Sequence, residues 1–108
     1  MNTWHEQIIK AINNMELLTI VYDYERRTIE PYVYGCSSEN LDILRAYQTS
    51  GMHPGWQAYR VDQIESLQET GDTFREPRHD YRHSDPGVEE VYAQLHYEPP
   101  EILGFGDD

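Results

Sequence analysis

The chain of 108 residues has few of the features of a disulfide-stabilised or membrane protein. It has one cysteine, Cys36, so no disulfide can form within the chain. The lack of a disulfide framework favours a reducing compartment, and we expect a cytoplasmic protein. No apolar run approaches the length of a membrane span, and the opening residues, MNTWHEQIIK, lack the basic start and apolar core of a signal peptide. The sequence predicts one soluble domain without membrane association.

Basic residues are also scarce. Lys and Arg number 8 against 20 Asp and Glu, which gives a formal net charge of -12. A field of this sign repels polyanions, so we expect no non-specific binding to duplex DNA, although a local basic pocket is still allowed. No Lys or Arg follows Arg82. We divide the chain into a folded part, residues 1–74, and an acidic C-terminal extension, residues 75–108, which we expect to be partly helical or folded back.

Motifs that carry catalysis are absent from the sequence. It has no Gly-rich phosphate loop and no nucleophile elbow. His79 and His83 have the spacing of metal ligands on a helix, but Asp85-Pro86-Gly87 favours a loop there and no cysteine is nearby. We therefore predict no enzymatic activity, no metal site and no cofactor.

Helical periodicity is clearest at the N-terminus. Ile8, Ala11 and Ile12 recur at helical spacing, and Thr3 has the position of an N-cap with Glu6 reaching back to it. This pattern predicts a helix over residues 4–13. A second, shorter helix is predicted over residues 88–97, with Asp85 as its N-cap.

Between the two helices the apolar period changes to two, and β-branched and aromatic residues dominate. Pro31 interrupts the second run, which suggests an edge strand or a bulge because proline cannot donate to a ladder. The predicted fold is mainly β with an N-terminal helix, in which a small antiparallel sheet or barrel bends strongly. The predicted strands cover residues 17–24, 27–34, 41–48, 56–61 and 64–69.

Four segments in order resemble the WYL domain, a module common in bacterial transcription regulators. They read TIVYDY, RTIEPY, DILRAY and QAYRVDQI and follow a leading helix, QIIKAI, which the family also has; the last segment is the most specific, with Arg60, Asp62 and Ile64 identical to the family pattern. Asp42 and Ile43 replace the Trp and Tyr of the family's name, while Leu44 is retained. The resemblance covers about residues 8–74.

This resemblance implies a small SH3-like β-barrel of about five antiparallel strands that senses a negatively charged ligand such as a nucleotide. Family members are usually fused to a winged helix, which this sequence does not contain, so a stand-alone regulatory domain is expected. The family's basic and aromatic patch corresponds here to a reduced set of ligand-binding candidates: Arg27, Arg45 and Arg60 with Tyr22 and Tyr47. Guanidinium groups that converge on one point would bind phosphate or carboxylate.

Two alternatives remain open from the residues alone. Arg60 has acidic candidates for a structural ion pair in Asp62, Asp42 and Glu30. The chain as a whole also suits an acidic protein-interaction module or accessory subunit, whose partner docks on the negative surface or the C-terminal tail. Full pairing of the arginines with internal carboxylates would favour this second function. A homodimer is compatible with either function.

Overall fold

The computed structural model describes residues 2–81 and 87–98, which form one helix and six antiparallel strands. A turn of 3-10 helix, Val61–Gln63, connects the fourth strand to the fifth. The elements in chain order are α1 (His5–Asn14), β1 (Glu16–Tyr22), β2 (Glu25–Cys36), β3 (Asp42–Gln48), β4 (Gly55–Arg60), β5 (Ser66–Thr73) and β6 (Glu90–Gln94).

The N-terminal helix confirms the predicted one to within a residue at each end. Its buried stripe is formed by Ile8, Ala11 and Ile12, which pack on the sheet. The helix ends at Met15, whose left-handed backbone directs its N–H to the carbonyls of Ala11 and Ile12. The N-cap residue is Trp4, without a side-chain cap, so the capping box predicted at Thr3 is wrong.

The sheet has the strand order β4-β3-β2-β1-β5, and β6 pairs with β2. β2 is long enough to have three neighbours: residues 25–29 pair with β1, residues 29–36 pair with β3, and residues 33–36 also pair with β6 on the other side. No pairing joins β4 to β5 within the described residues, so the sheet is not closed by hydrogen bonds. The mainly β fold with one N-terminal helix is confirmed.

A two-residue turn connects β1 to β2. Asp23 and Tyr24 both have positive φ, +52° and +62°, and Tyr22 pairs with Glu25 across the turn. This backbone matches the twist of a tight hairpin. The turn lies two residues earlier than the predicted one at Glu25-Arg26.

A β-bulge in β2 follows Pro31, as the proline suggested. Before the bulge Ile29 pairs with Gln48 and Pro31 with Ala46; after it Val33 pairs with Arg45, so Tyr32 is the extra residue. An inserted residue changes which side chains share a face of the sheet. The bulge therefore determines which side chains after Tyr32 in β2 share a face of the sheet with which side chains of β3.

The second helix predicted over residues 88–97 is wrong, since Glu90–Gln94 forms β6. Its expected N-cap, Asp85, lies outside the described residues. β1 pairs with β2 only as far as Ile29, so the second half of β2 has a free edge that β6 occupies. Backbone hydrogen bonds at Glu89 and Leu95 extend the pairing at both ends. Pairing of the backbone N–H and C=O groups along this edge outweighs the weak helical periodicity of residues 88–97.

The core lies between α1 and the inner face of the sheet. Its centre combines the helix stripe with aliphatic side chains of β1, β2 and β3 and one polar residue, Gln48, which is fully buried. The largest fully buried side chains include Tyr32, Tyr34, Tyr59, Ile8, Ile12, Leu18, Ile20, Ile29 and Leu44.

Candidate functional site

Three of the five predicted site residues share the outer face of β3 and β4. In β3 the buried residues are Leu44, Ala46 and Gln48, so the alternate side chains point outward. Residues directly opposite in an antiparallel pair lie on the same face. The outward pairs are Ile43 with Arg60, Arg45 with Ala58, and Tyr47 with Trp56.

Arg27 and Tyr22 lie on the inner face instead. Arg27 pairs with Ile20, a core residue, and its side chain is only 14% exposed. Its guanidinium carbon lies 5.5 Å from the centroid of the Tyr22 ring and 5.9 Å from that of Tyr59. The sequence therefore predicted one arginine site where the structure has two separate locations.

A polar network with one unsatisfied donor holds Arg27. Its Nη1 donates to Oε1 of the buried Gln48 at 3.2 Å, and Tyr59 donates to the same oxygen at 2.7 Å. Nε lies 3.0 Å from a Glu25 carboxylate oxygen, but its N–H is not directed at that oxygen, so this buried donor has no hydrogen-bond partner. Burial raises the pKa of Tyr59. Arg27 is thus a structural cation that stabilises the β1–β2 end of the core.

Arg60 makes the ion pair that one alternative anticipated. Its Nε and Nη2 donate to the two oxygens of Asp62, at 3.3 and 2.9 Å, and this pairing raises the pKa of Arg60. The Arg60 side chain is 43% exposed and that of Asp62 57%, so solvent reaches both. The backbone N–H of Arg60 donates to the Tyr22 hydroxyl at 3.1 Å.

Arg78, which belongs to the predicted C-terminal extension, packs on this same outer face. Its guanidinium carbon lies 4.1 Å from the centroid of the Tyr47 ring. Its Nε and Nη2 donate to the two oxygens of buried Glu30, at 3.0 and 2.9 Å. The same carboxylate accepts the Tyr32 hydroxyl at 2.8 Å, and that hydroxyl accepts the backbone N–H of Arg78. The pairing with Glu30 raises the pKa of Arg78.

An aromatic cluster centred on Tyr32 lies next to Arg78. The Tyr32 ring lies 4.9 Å from Trp56, 5.6 Å from Phe74 and 4.8 Å from Tyr81, measured between centroids. Trp56 donates its indole N–H to Asp80 at 3.0 Å, which ties the segment after β5 to β4. Burial is the main cause that raises the pKa of Tyr32.

A cleft of about 490 Å³ opens beside this cluster. Phe74 and Tyr81 were the signal in the sequence that could have revealed it, because two aromatic residues flank Arg78 in an otherwise polar segment. Both cationic and acidic side chains line the cleft, together with aromatic rings: its lining consists of Glu30, Tyr47, Phe74, Arg75, Glu76, Pro77, Arg78, His79 and Asp80.

The outer face and the cleft thus combine guanidinium groups with aromatic rings. We name Arg45, Tyr47, Arg60 and Arg78 the outer-face cluster. Such groups bind planar anions through bidentate hydrogen bonds and stacking. No group of three or more His, Cys, Asp or Glu able to hold a metal occurs among the described residues, and His83 and Asp85 lie outside them.

Comparison of the chain with protein-family models, with curated proteins and with solved structures found no match. The resemblance to the WYL domain therefore rests on the sequence motifs alone. None of the helices in the described part of the chain is long and apolar enough to cross a membrane.

Proposed function

We propose that this chain is a non-enzymatic ligand-binding domain, similar to WYL sensors, which binds a small anionic, nucleotide-like ligand at the outer-face cluster. The observation that carries the proposal is the register of β3 and β4, which places Arg45, Arg60 and Tyr47 on one face while Arg78 stacks on Tyr47. The ligand's anionic groups bind the arginines, and its ring binds in the cleft beside Tyr47.

Arg78 has capacity for a ligand while it stays paired with Glu30. A guanidinium group has five N–H donors, and Glu30 takes one from Nε and one from Nη2. The remaining donors are accessible to a ligand because the Arg78 side chain is 41% exposed. A phosphate therefore binds Arg78 without leaving the buried carboxylate of Glu30 unpaired.

The overall charge restricts the ligand to a small one. With a net charge of -12, the surface around the cluster repels a long polyanion. A mononucleotide or a short oligonucleotide presents few phosphates and a ring for stacking. We accordingly propose a small ligand rather than duplex nucleic acid.

The same proposal includes the SH3-like barrel and a cytoplasmic location. The strand order β5-β1-β2-β3-β4 is that of one bent antiparallel sheet, with a bulge in β2 and a 3-10 turn before β5 as devices that bend strands, and it supports this part of the proposal. The single cysteine supports the location.

A thermal-shift screen at low salt tests the ligand site. Mononucleotides, cyclic dinucleotides and short single-stranded oligonucleotides are added to wild type and to the Arg45→Ala and Arg60→Ala variants. A ligand that binds only the folded state raises the melting temperature as its concentration rises. The control is Arg26→Ala, which removes the same charge from an exposed position paired with Val21 in β1.

We expect a shift in wild type and Arg26→Ala and a reduced shift in the two outer-face variants. An equal shift in all four proteins would contradict the location of the site. The absence of a shift with every anion would contradict the ligand-binding function itself.

A protein-interaction function is the second candidate, and the ion pairs favour it. Lys10, Arg27, Arg60 and Arg78 each pair with one or more carboxylates of the chain. Such pairing neutralises cations internally and leaves the surplus of carboxylates on the surface. This candidate predicts a negative result for every anion in the screen.

A further inference from the structure

The outer-face cluster has a defined length along β3 and β4. At one end Tyr47 lies opposite Trp56, and at the other end Arg60 lies opposite Ile43. Arg45 lies between the two ends, in β3. Neighbouring side chains on one face of a strand are about 7 Å apart, because they are two residues apart in the chain. The step from Tyr47 to Ile43 therefore separates Arg60 from the aromatic end by about 13 Å.

The two ends of the cluster differ in chemistry. At one end the Tyr47 and Trp56 rings are 5.5 Å apart between centroids, and the guanidinium of Arg78 lies over the Tyr47 ring. At the other end the side chain opposite Arg60 is aliphatic, Ile43. Because bases bind by stacking on aromatic rings, a ligand's base belongs at the Tyr47 end. Its charged end then extends toward Arg60.

Asp62 determines which kind of anion gains from binding Arg60. Its two oxygens accept from Nε and Nη2 of Arg60, and only one residue separates the two in the chain, so Asp62 is an intramolecular competitor at these donors. A singly charged anion such as a phosphodiester exchanges one negative charge for another there. A terminal phosphate carries about −1.5 to −2 charge at pH 7 and three acceptor oxygens, so it adds charge in the exchange.

The ion pair of Arg78 does not exchange in the same way. The Glu30 side chain is only 8% exposed, and release of Arg78 would leave its buried carboxylate without a cation. Arg78 therefore keeps Glu30 and offers a ligand its remaining N–H groups. Exchange of a carboxylate for a phosphate takes place at Arg60 rather than at Arg78, because the Asp62 side chain is 57% exposed.

We propose that the ligand of the outer-face cluster is a nucleoside triphosphate, which rests on the proposed function and narrows its ligand class. The base binds beside Tyr47, the phosphate next to the sugar lies near Arg78 and Arg45, and the terminal phosphate replaces Asp62 at Arg60. A single 5′-phosphate is too close to its base to span about 13 Å. An oligonucleotide has the length, but its phosphodiesters are singly charged.

The test measures affinity for the full chain by isothermal titration calorimetry at low salt, with EDTA so that no divalent cation masks the phosphates. The probes are the 5′-mono-, di- and triphosphates of adenosine, guanosine, cytidine and uridine, and the four unphosphorylated dinucleotides of one base each. They are titrated into wild type, Arg60→Ala and Asp62→Asn. Circular dichroism checks that each variant folds.

Two control variants remove the same charges elsewhere. Arg26→Ala matches Arg60→Ala, because Arg26 is an exposed arginine that pairs with Val21 of β1. Glu6→Gln matches Asp62→Asn, because Glu6 is an exposed carboxylate in the first turn of α1, on the other side of the sheet. Effects of net charge alone should therefore be equal in each variant and its control.

We expect affinity to rise with each added phosphate, and the triphosphate of the preferred base to bind wild type about tenfold or more tightly than its dinucleotide. Arg60→Ala should weaken the triphosphate by about tenfold, since a charge-assisted contact is lost, and the monophosphate by less than about twofold, since it does not reach Arg60. Asp62→Asn should strengthen the triphosphate by about two- to fivefold, the range that an exposed ion pair contributes. The two controls should change these affinities by less than about twofold.

Three results would overturn the proposal and leave the ligand-binding function standing. Equal weakening of monophosphate and triphosphate by Arg60→Ala would contradict the length of the ligand. A dinucleotide that binds as tightly as the triphosphate would contradict its terminal charge. Unchanged triphosphate affinity in Asp62→Asn would contradict the exchange at Arg60. Failure of every probe here and of every anion in the thermal-shift screen would overturn the proposed function as well.

Discussion

Gly35 is the position where the packing of β6 on β2 makes its sharpest prediction. A Cβ atom at this position would lie 2.5 Å from Cγ1 of Val88 and 3.0 Å from Cα of Val91, and closer still to the backbone carbonyl oxygen of Glu90. The backbone at Gly35 is not in the left-handed region, so the requirement for glycine is one of space alone. Gly35→Ala should therefore force β6 away from β2.

The magnitude follows from what each response of the structure would cost. Retaining the pairing with an extra methyl group overpacks the interface, which costs about 1–3 kcal/mol. Releasing β6 exposes Leu95, now 2% exposed, and a fully buried leucine contributes about 1.5–3 kcal/mol. Both responses give similar values, so we expect a loss of about 2 kcal/mol in the free energy of unfolding. Each 1 kcal/mol corresponds to roughly 4–8 °C in melting temperature for a domain of this size.

Urea unfolding and native-state hydrogen exchange together distinguish the two responses. Release of β6 should accelerate exchange of the Glu89 and Leu95 amides, which donate to Cys36 and Tyr32, while β1 stays protected. Val88→Ala removes one of the three clashing groups, so the double variant should recover part of the loss. An unchanged free energy of unfolding together with unchanged exchange at β6 would refute the close approach of the two strands.

Three other predictions concern stability. Arg27→Ala should lower the free energy of unfolding by about 1.5–3 kcal/mol, because a largely buried hydrogen-bonded cation is lost. Arg26→Ala is the control and should change this free energy little. Equal losses for the two variants in urea unfolding would contradict the structural role of Arg27. Tyr24→Gly should raise that free energy by up to about 1 kcal/mol, since glycine adopts a φ of +62° without strain, and a decrease would contradict this. Burial raises the pKa of three tyrosines above the ordinary value of 10, so stability should be intact below pH 10 and fall above it, by roughly 1.4 kcal/mol per pH unit for each. Ultraviolet absorbance should show that these three tyrosines form tyrosinate only together with unfolding, and titration of all nine tyrosines near pH 10 in a folded protein would contradict it. The three tyrosines are Tyr32, Tyr34 and Tyr59.

The sequence predicted the helix and five strands because their apolar periods were unambiguous. It could not show which arginines share a face of the sheet, and one reason is the bulge after Pro31. Counting alternate residues along β2 puts Arg27 on the same side as Val33, and Val33 pairs with Arg45. The extra residue Tyr32 breaks this count, so Arg27 faces the core while Arg45 faces outward. A proline indicates a bulge, but the register on its far side depends on tertiary packing.

The outer-face partners were missed for a different reason. Arg78 and Glu30 are 48 residues apart in the chain and meet only because the segment after β5 folds back over β2. Periodicity describes residues within one helix or strand. It carries no information about contacts between a later segment of the chain and an earlier strand. The strand β6 was misassigned for the same reason, since its partner is an edge of β2 that exists only in the folded sheet.

The ion pairs of the outer-face cluster determine how a ligand would bind there. A phosphate that replaces Asp62 at Arg60 releases a carboxylate that is 57% exposed and regains water at little cost. The exchange of one anion for another is therefore close to neutral at Arg60, and net affinity must come from the added charge of the phosphate and from stacking on Tyr47. Salt screens the charge of the phosphate but not the stacking of a base. Raising the ionic strength should therefore weaken the binding of a phosphate-only ligand more than that of a ligand which also carries a base.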